Sequence, residues 1–195
     1  MKKFVFLFMI FLILLTESIG NANIEHINFP PLRKNIVKSS TASDRKNTHN
    51  DEVKWKTFND EVECLSLNIY FEAANQSTAG KLAVAIVTYN RVKSNRFPNT
   101  FCEVVYESKK DLQNNPIRNN CQFSWYCDGK TDIPYEGKQW KISRELAIWF
   151  YRNRSKIPDI TDGSTHYHGD YIKKPYWSKI FSKTVSIDNH IFYKD

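Results

Sequence analysis

The sequence lacks the signatures of most nucleotide-dependent and serine-hydrolase chemistry. GxGxxG, a Walker A loop and GxSxG are all absent, and no Ser-His-Asp order stands out. Six glycines and seven prolines exclude collagen-like and Gly-rich repeats. No segment recurs with a period of about 20–50 residues, which excludes solenoids and propellers. Beyond Leu15 no apolar run is long enough to span a bilayer. There are only four cysteines, Cys64, Cys102, Cys121 and Cys127, and no CxxC pair among them, so a structural zinc site has little support.

What is present starts at the N-terminus. Lys2 and Lys3 precede an unbroken apolar run of 12 residues, Phe4–Leu15, and small residues follow at Ser18, Gly20 and Ala22. That order predicts a secretory signal peptide over residues 1–22, cleaved near Gly20 or Ala22. An uncleaved anchor is the alternative, but 12 residues cannot cross ~30 Å of hydrocarbon as a helix. The mature protein is expected to be exported, periplasmic or cell-wall associated, with no stable membrane insertion. Residues 23–50 are polar, contain Pro30-Pro31 and a Ser/Thr/Asn-rich stretch, and read as a flexible leader. Residues 51–195 read as one domain; 41% hydrophobic and 14% aromatic residues are enough for a packed core.

The formal net charge of +7 suggests a polyanionic partner until it is located. Residues 1–22 carry two Lys and one Glu, and residues 23–50 carry +3, so the domain itself carries only +3. Nucleic-acid binding would call for a clustered basic face and is not expected. Export changes the reading of the cysteines. An even number in an oxidising compartment favours two disulfides, with three possible connectivities that the sequence does not separate.

Val62, Leu65, Ile69 and Ala73 repeat at helical spacing and predict a helix over Glu61–Ala74. Ser77–Val92 is apolar over most of its circumference and should be the central buried helix. Thr100-Phe-Cys-Glu103 fits a capping box opening a short helix through Tyr106. Residues 108–120 are polar and read as a loop. Gln122–Tyr126 alternates polar and apolar before Asp128-Gly129 and reads as a strand and turn. Tyr135–Arg152 should be a helix with Ile142, Leu146 and Trp149 inward. The tail should hold short extended pieces around Thr165–His168, Tyr176-Trp177 and His190–Tyr193. With no βαβ alternation the class is α+β, mostly helical, with a small irregular β element.

Glu72 is the strongest candidate for chemistry. On a wheel of ~100° per residue it lies about 50° from the centre of the buried stripe, flanked by Tyr70 and Phe71. A carboxyl partly desolvated by aromatics has a raised pKa, as a general acid requires; a boundary glutamate paired with Arg or Lys is the alternative. Gln122 and Ser124 would share one side of a strand and Phe123 and Trp125 the other, a polar pair suited to hydrogen-bonding a sugar or an amide. His166 and His168 share one side of an extended segment. With His190 and Glu72 they could form a zinc site, but two histidines two apart are weak metal evidence, and hydrogen-bonded cleft histidines are the simpler reading. Tyr167, Tyr171, Tyr176 and Trp177 add an aromatic cluster of the kind that stacks on sugars or completes a core.

Five blocks then carry a family resemblance. ECLSLNIYFEAANQSTAGKLAVAIVTYNRV, FPNTFCEVVYE, CQFSWYCDG, THYHGDYIKKPYW and the terminal NHIFY occur in the order seen in SleB/CwlJ-type cell-wall hydrolases, over about residues 60–195. The resemblance implies a small lysozyme-like or lytic-transglycosylase-like domain acting on peptidoglycan glycan; separately, no cofactor or metal is expected, and a monomer is favoured with the oligomeric state left open by the sequence. The resemblance places the catalytic glutamate on Glu72 and substrate-binding residues on Gln122, Phe123, Ser124, His166, Tyr167 and His168; from the aromatic cluster, Tyr176 and Trp177 are expected to bind substrate with them. Ala74-Asn75 departs from the Arg-Gly that many members carry there. The absence of a second carboxylate at an obvious nucleophile position in these blocks favours transglycosylation over two-carboxylate hydrolysis. Muramidase-type hydrolysis, a zinc amidase and a non-catalytic peptidoglycan binder are the alternatives.

Overall fold

The structure is a computed structural model that describes residues 42–195. The expected signal peptide and residues 23–41 of the expected leader lie outside the described residues. Four helices, α1 (Ala42–Ala73), α2 (Thr78–Lys93), α3 (Phe101–Val105) and α4 (Lys138–Asn153), carry two small antiparallel sheets. The first is a hairpin of β1 (Ser108–Lys110) and β2 (Pro116–Cys121). The second is built from β3 (His166–Gly169), β4 (Ser182–Ile187) and β5 (His190–Lys194) in the order β3-β5-β4. The α+β, mainly helical architecture agrees with the sequence reading.

The α1 stripe Val62, Leu65, Ile69 and Ala73 is buried as expected, against α2 and α4. The helix starts at Ala42, well before Glu61, and takes in residues 42–50 of the expected leader. From Ala42 to Asp60 there is no Gly or Pro to break it. Helix α2 is the central element, buried from Ala83 through Thr88. Ser77 caps it, accepting from the Gly80 N–H at 3.2 Å. The β4–β5 turn closes over the same end, where Asp188 Oδ2 accepts from the Ser77 N–H at 2.8 Å. Glycine is needed at position 80, since a Cβ there would lie 2.3 Å from that oxygen. Thr100 caps α3 from the expected box, but the Glu103 carboxylate accepts from the Thr100 hydroxyl rather than from a backbone N–H.

Four local expectations need correction. Residues 108–120 are not a featureless loop; they contain β1 and most of β2. The hairpin is exposed on both faces, so it carries no hydrophobic alternation to read. Gln122–Tyr126 is not a strand: β2 ends at Cys121, and Ser124–Cys127 form a single 3-10 turn. The alternation survives, because Phe123 and Trp125 are buried while Gln122 and Ser124 are exposed. Tyr176-Trp177 is not extended but opens a second 3-10 turn, Tyr176–Lys179, directly after Pro175. Helix α4 buries Trp140, Ser143, Ala147 and Phe150 along with Leu146, leaving Ile142 and Trp149 half-buried on its flanks. It packs between two neighbours, so its inward face is centred away from the expected stripe.

Both disulfides form, Cys64–Cys102 and Cys121–Cys127. The first ties α1 to α3. The second closes a short loop around the Gln122–Tyr126 segment. Among the described residues no helix is long and apolar enough to cross a membrane.

Candidate active site

Glu72 occupies the last turn of α1, one residue before the helix ends. Three features place it there. The buried stripe fixes the rotation of α1. Phe71 stacks on Trp125, with ring centroids 4.7 Å apart, and joins α1 to the disulfide-closed loop. Trp125 is fixed in turn by its Nε1–H, which donates to Asn68 Oδ1 at 3.0 Å. The Asn68 amide donates to Thr88 on α2 at 3.1 Å, so one buried polar chain links α1, α2 and the loop.

Tyr167 comes from the opposite side. It is the cross-strand partner of Phe192 and packs against all three hydrophobic clusters of the domain. Its hydroxyl donates to Glu72 Oε2 at 3.0 Å. Arg91, on α2, is buried beneath the same site. Its Nε donates to the Thr165 carbonyl at 2.7 Å. Its guanidinium lies over the Phe123 and Phe97 rings at 4.9 and 5.2 Å. Arg91 Nη1 is buried with no hydrogen-bond partner.

Desolvation raises the Glu72 pKa from 4.5 to about 7, opposed by the Tyr167 hydrogen bond and by the charge of Arg91. The carboxyl also sits at the negative end of the α1 dipole, which disfavours its ionised form. The Tyr167 hydroxyl is held protonated, its pKa well above 10, first by burial and then by the Glu72 charge. With Oε2 occupied by that donor, Oε1 is the oxygen left to carry a transferable proton.

These groups line a cavity of about 490 Å³. Of the expected site residues it brings together Glu72, Gln122, Phe123, Ser124, Tyr167, His168 and Trp177. His166 and Tyr176 do not line it. His166 faces away, packed among Phe97, Trp177 and Phe181. Burial there lowers its pKa to about 4, so it is neutral and supports Trp177 from behind. Tyr176 is exposed on its 3-10 turn. The three candidate zinc histidines do not converge. His166 and His168 lie on one face of the sheet, against Trp177, while His190 packs edge-on against Tyr167 on the other. His168 Nδ1 donates to the Gly169 carbonyl at 2.8 Å, and Nε2 pairs with the Tyr193 hydroxyl at 3.1 Å. Among the described residues no group of three or more His, Cys, Asp or Glu could hold a metal ion.

The sequence reading missed Arg91, which is one of three cations on α2 with Lys81 and Lys93, so nothing in its local sequence singled it out. It also missed two carboxylates. Asp128 and Asp132 line the cavity. Asp128 accepts from the Lys130 N–H at 2.8 Å and pairs with Lys130 Nζ at 3.3 Å, which holds its pKa low. Asp132 is shifted upward by desolvation and by the Asp128 charge.

The profile of the family described as Cell Wall Hydrolase matches residues 75–193, so Glu72 lies just before the matched span. Among solved structures, the fold resembles the catalytic domain of the Bacillus cereus SleB protein, with 24% identity and a TM-score of 0.50. That match covers 70% of this chain and 91% of the other. A second is the catalytic domain of the germination-specific lytic transglycosylase SleB from Bacillus anthracis. It has 24% identity and a TM-score of 0.51, and covers 69% of this chain and 93% of that one. No curated protein matches. A profile match over more than half of the chain establishes that the protein belongs to the cell-wall hydrolase family and is a peptidoglycan-cleaving enzyme.

Proposed function

We propose that the cavity cleaves the β-1,4 bond between N-acetylmuramic acid and N-acetylglucosamine as a lytic transglycosylase, with Glu72 as general acid and then general base. The observation that carries this reading is the Glu72 carboxyl, poised near neutrality, hydrogen-bonded on one oxygen by Tyr167 and lining a cavity walled by Gln122, Ser124 and Trp177. In the first step the Glu72 O–H protonates the glycosidic oxygen as the bond from C1 of the muramyl sugar breaks, and an oxocarbenium-like centre develops. The C6 hydroxyl of the same sugar then attacks C1. Its proton passes to the Glu72 carboxylate, leaving a 1,6-anhydro end and restoring the acid. Arg91 and Tyr167 stabilise the carboxylate between the two steps, when its charge is uncompensated by a proton. The activity named for the Bacillus anthracis neighbour supports the same assignment.

Asp128 and Asp132 in the same cavity favour one second reading, hydrolysis, in which an aspartate would assist water or the cation. Mass spectrometry of fragments released from purified sacculi decides between them. Anhydro ends are expected; reducing muramic ends would establish hydrolysis, and free stem peptides would establish an amidase. Glu72→Gln should abolish release in either glycan-cleaving case, and full retained activity would overturn the assignment of Glu72. Two disulfides and the N-terminal Lys-Lys and apolar run support export to the wall, with residues 1–22 as the signal peptide. The peptidoglycan partner would meet the domain as a monomer.

A further inference from the structure

Tyr171 is 76% exposed, yet it is not loosely held. It sits in a tight turn leaving β3. The Asp170 N–H donates to the Asn189 carbonyl at 2.8 Å, and the Ile172 N–H donates back to the Gly169 carbonyl at 3.3 Å. The ring rests against Gly169, where a Cβ would lie 2.7 Å from both Cε1 and Cζ. Gly169 therefore provides the seat for the ring by having no side chain. Its φ is not in the left-handed region, so backbone conformation gives no separate reason for glycine here. Tyr171 also lines the Glu72 cavity, whereas the similarly exposed Tyr135 and Tyr176 do not.

We propose that Tyr171 is a carbohydrate platform, its ring stacking on a pyranose of the glycan strand bound in the Glu72 cavity. This rests on the glycan-cleaving reading above and names Tyr171, rather than Tyr176, as the exposed aromatic that binds substrate. A pyranose presents a face of C–H bonds that packs on an aromatic ring, and an exposed ring on a fixed turn gives that contact at small entropic cost. The cavity lining also includes Lys130, Thr131 and Asp132, polar side chains that suit the hydroxyl and amide edge of the same strand.

The test measures binding of purified, peptide-free glycan strands to the full chain carrying Glu72→Gln, by calorimetry. Adding Tyr171→Ala should weaken binding roughly 5- to 10-fold, the value of one lost aromatic contact. Tyr171→Phe should bind like the parent, because stacking needs the ring and not the hydroxyl. Gly169→Ala should behave like Tyr171→Ala, because the new Cβ displaces the ring; circular dichroism checks that the fold is kept. Unchanged affinity in Tyr171→Ala, or equal losses in the Phe and Ala variants, would overturn the proposal, as would no measurable binding by the parent. The catalytic reading is judged separately, by whether Glu72→Gln stops release of fragments from sacculi.

Discussion

The Tyr167 hydroxyl donates to Glu72 Oε2 at 3.0 Å across 95 residues of sequence, joining β3 to the end of α1. A donor to a carboxylate stabilises its charged form, so this bond holds the Glu72 pKa below the value burial alone would give. Tyr167→Phe keeps the ring against Phe192, His190 and Phe123 but removes the donor. The Glu72 pKa should then rise further, and the alkaline limb of the kcat/KM profile, which tracks the protonated acid, should move to higher pH. A fall of roughly 10-fold or more in kcat is expected from the lost positioning. An alkaline limb that stays in place or moves down would contradict this coupling.

The same raised pKa has a cost in stability, and its sign is fixed by linkage. The folded-state pKa of Glu72, about 7, lies above its reference of 4.5. The protonated form is therefore favoured by folding, and the contribution of Glu72 is fully present below pH 4.5 and is lost as pH rises through 7. Glu72→Gln cannot ionise, so above pH 7 it should be more stable than the parent, by roughly 3 kcal/mol. The advantage should close as pH falls toward 4.5. Urea denaturation at pH 8 and at pH 4.5 measures both ends, and equal differences at the two pH values would refute the shift.

Glu72 was legible because four apolar residues at helical spacing fix the rotation of α1 and hence which face each side chain takes. The two central helices and the strands at His166 and His190 were legible for similar reasons. The β1–β2 hairpin was not, because a strand exposed on both faces has no period to detect. The 3-10 turn at Ser124–Cys127 was read as a strand because both can bury alternate residues over so short a span. The site itself depends on contacts distant in sequence. Nothing local to Arg91 says that its charge lies near Glu72, and nothing local to Asp132 says that it faces the same cavity.

Asn68 holds the cleft wall through two buried hydrogen bonds, accepting from Trp125 Nε1 and donating to Thr88 Oγ1. Asn68→Ala leaves the indole N–H buried without its acceptor and opens a small cavity between Trp125 and Thr88. A loss of about 2–3 kcal/mol is expected. Because Trp125 stacks on Phe71, next to Glu72, activity should also fall at temperatures where the variant is fully folded. Urea unfolding and turnover measured on the same preparation test both parts; full activity with full stability would show that the wall does not depend on Asn68.

The two disulfides should separate stability from activity. Cys64–Cys102 closes a span of 38 residues and Cys121–Cys127 a span of 6. By loop-closure entropy the first contributes about 4 kcal/mol and the second about 2 kcal/mol. Replacing Cys64 and Cys102 by Ala should therefore lower the urea midpoint more than replacing Cys121 and Cys127. Activity should follow the opposite order. The short loop carries Gln122, Phe123 and Ser124 into the cavity, whereas Cys64 and Cys102 lie outside it. Opening the 121–127 ring frees that segment to leave its buried alternation, so the Cys121→Ala/Cys127→Ala variant should lose most turnover on sacculi at a temperature where it is still folded. Equal activity losses in the two double variants would mean that the short ring does not position the cleft loop.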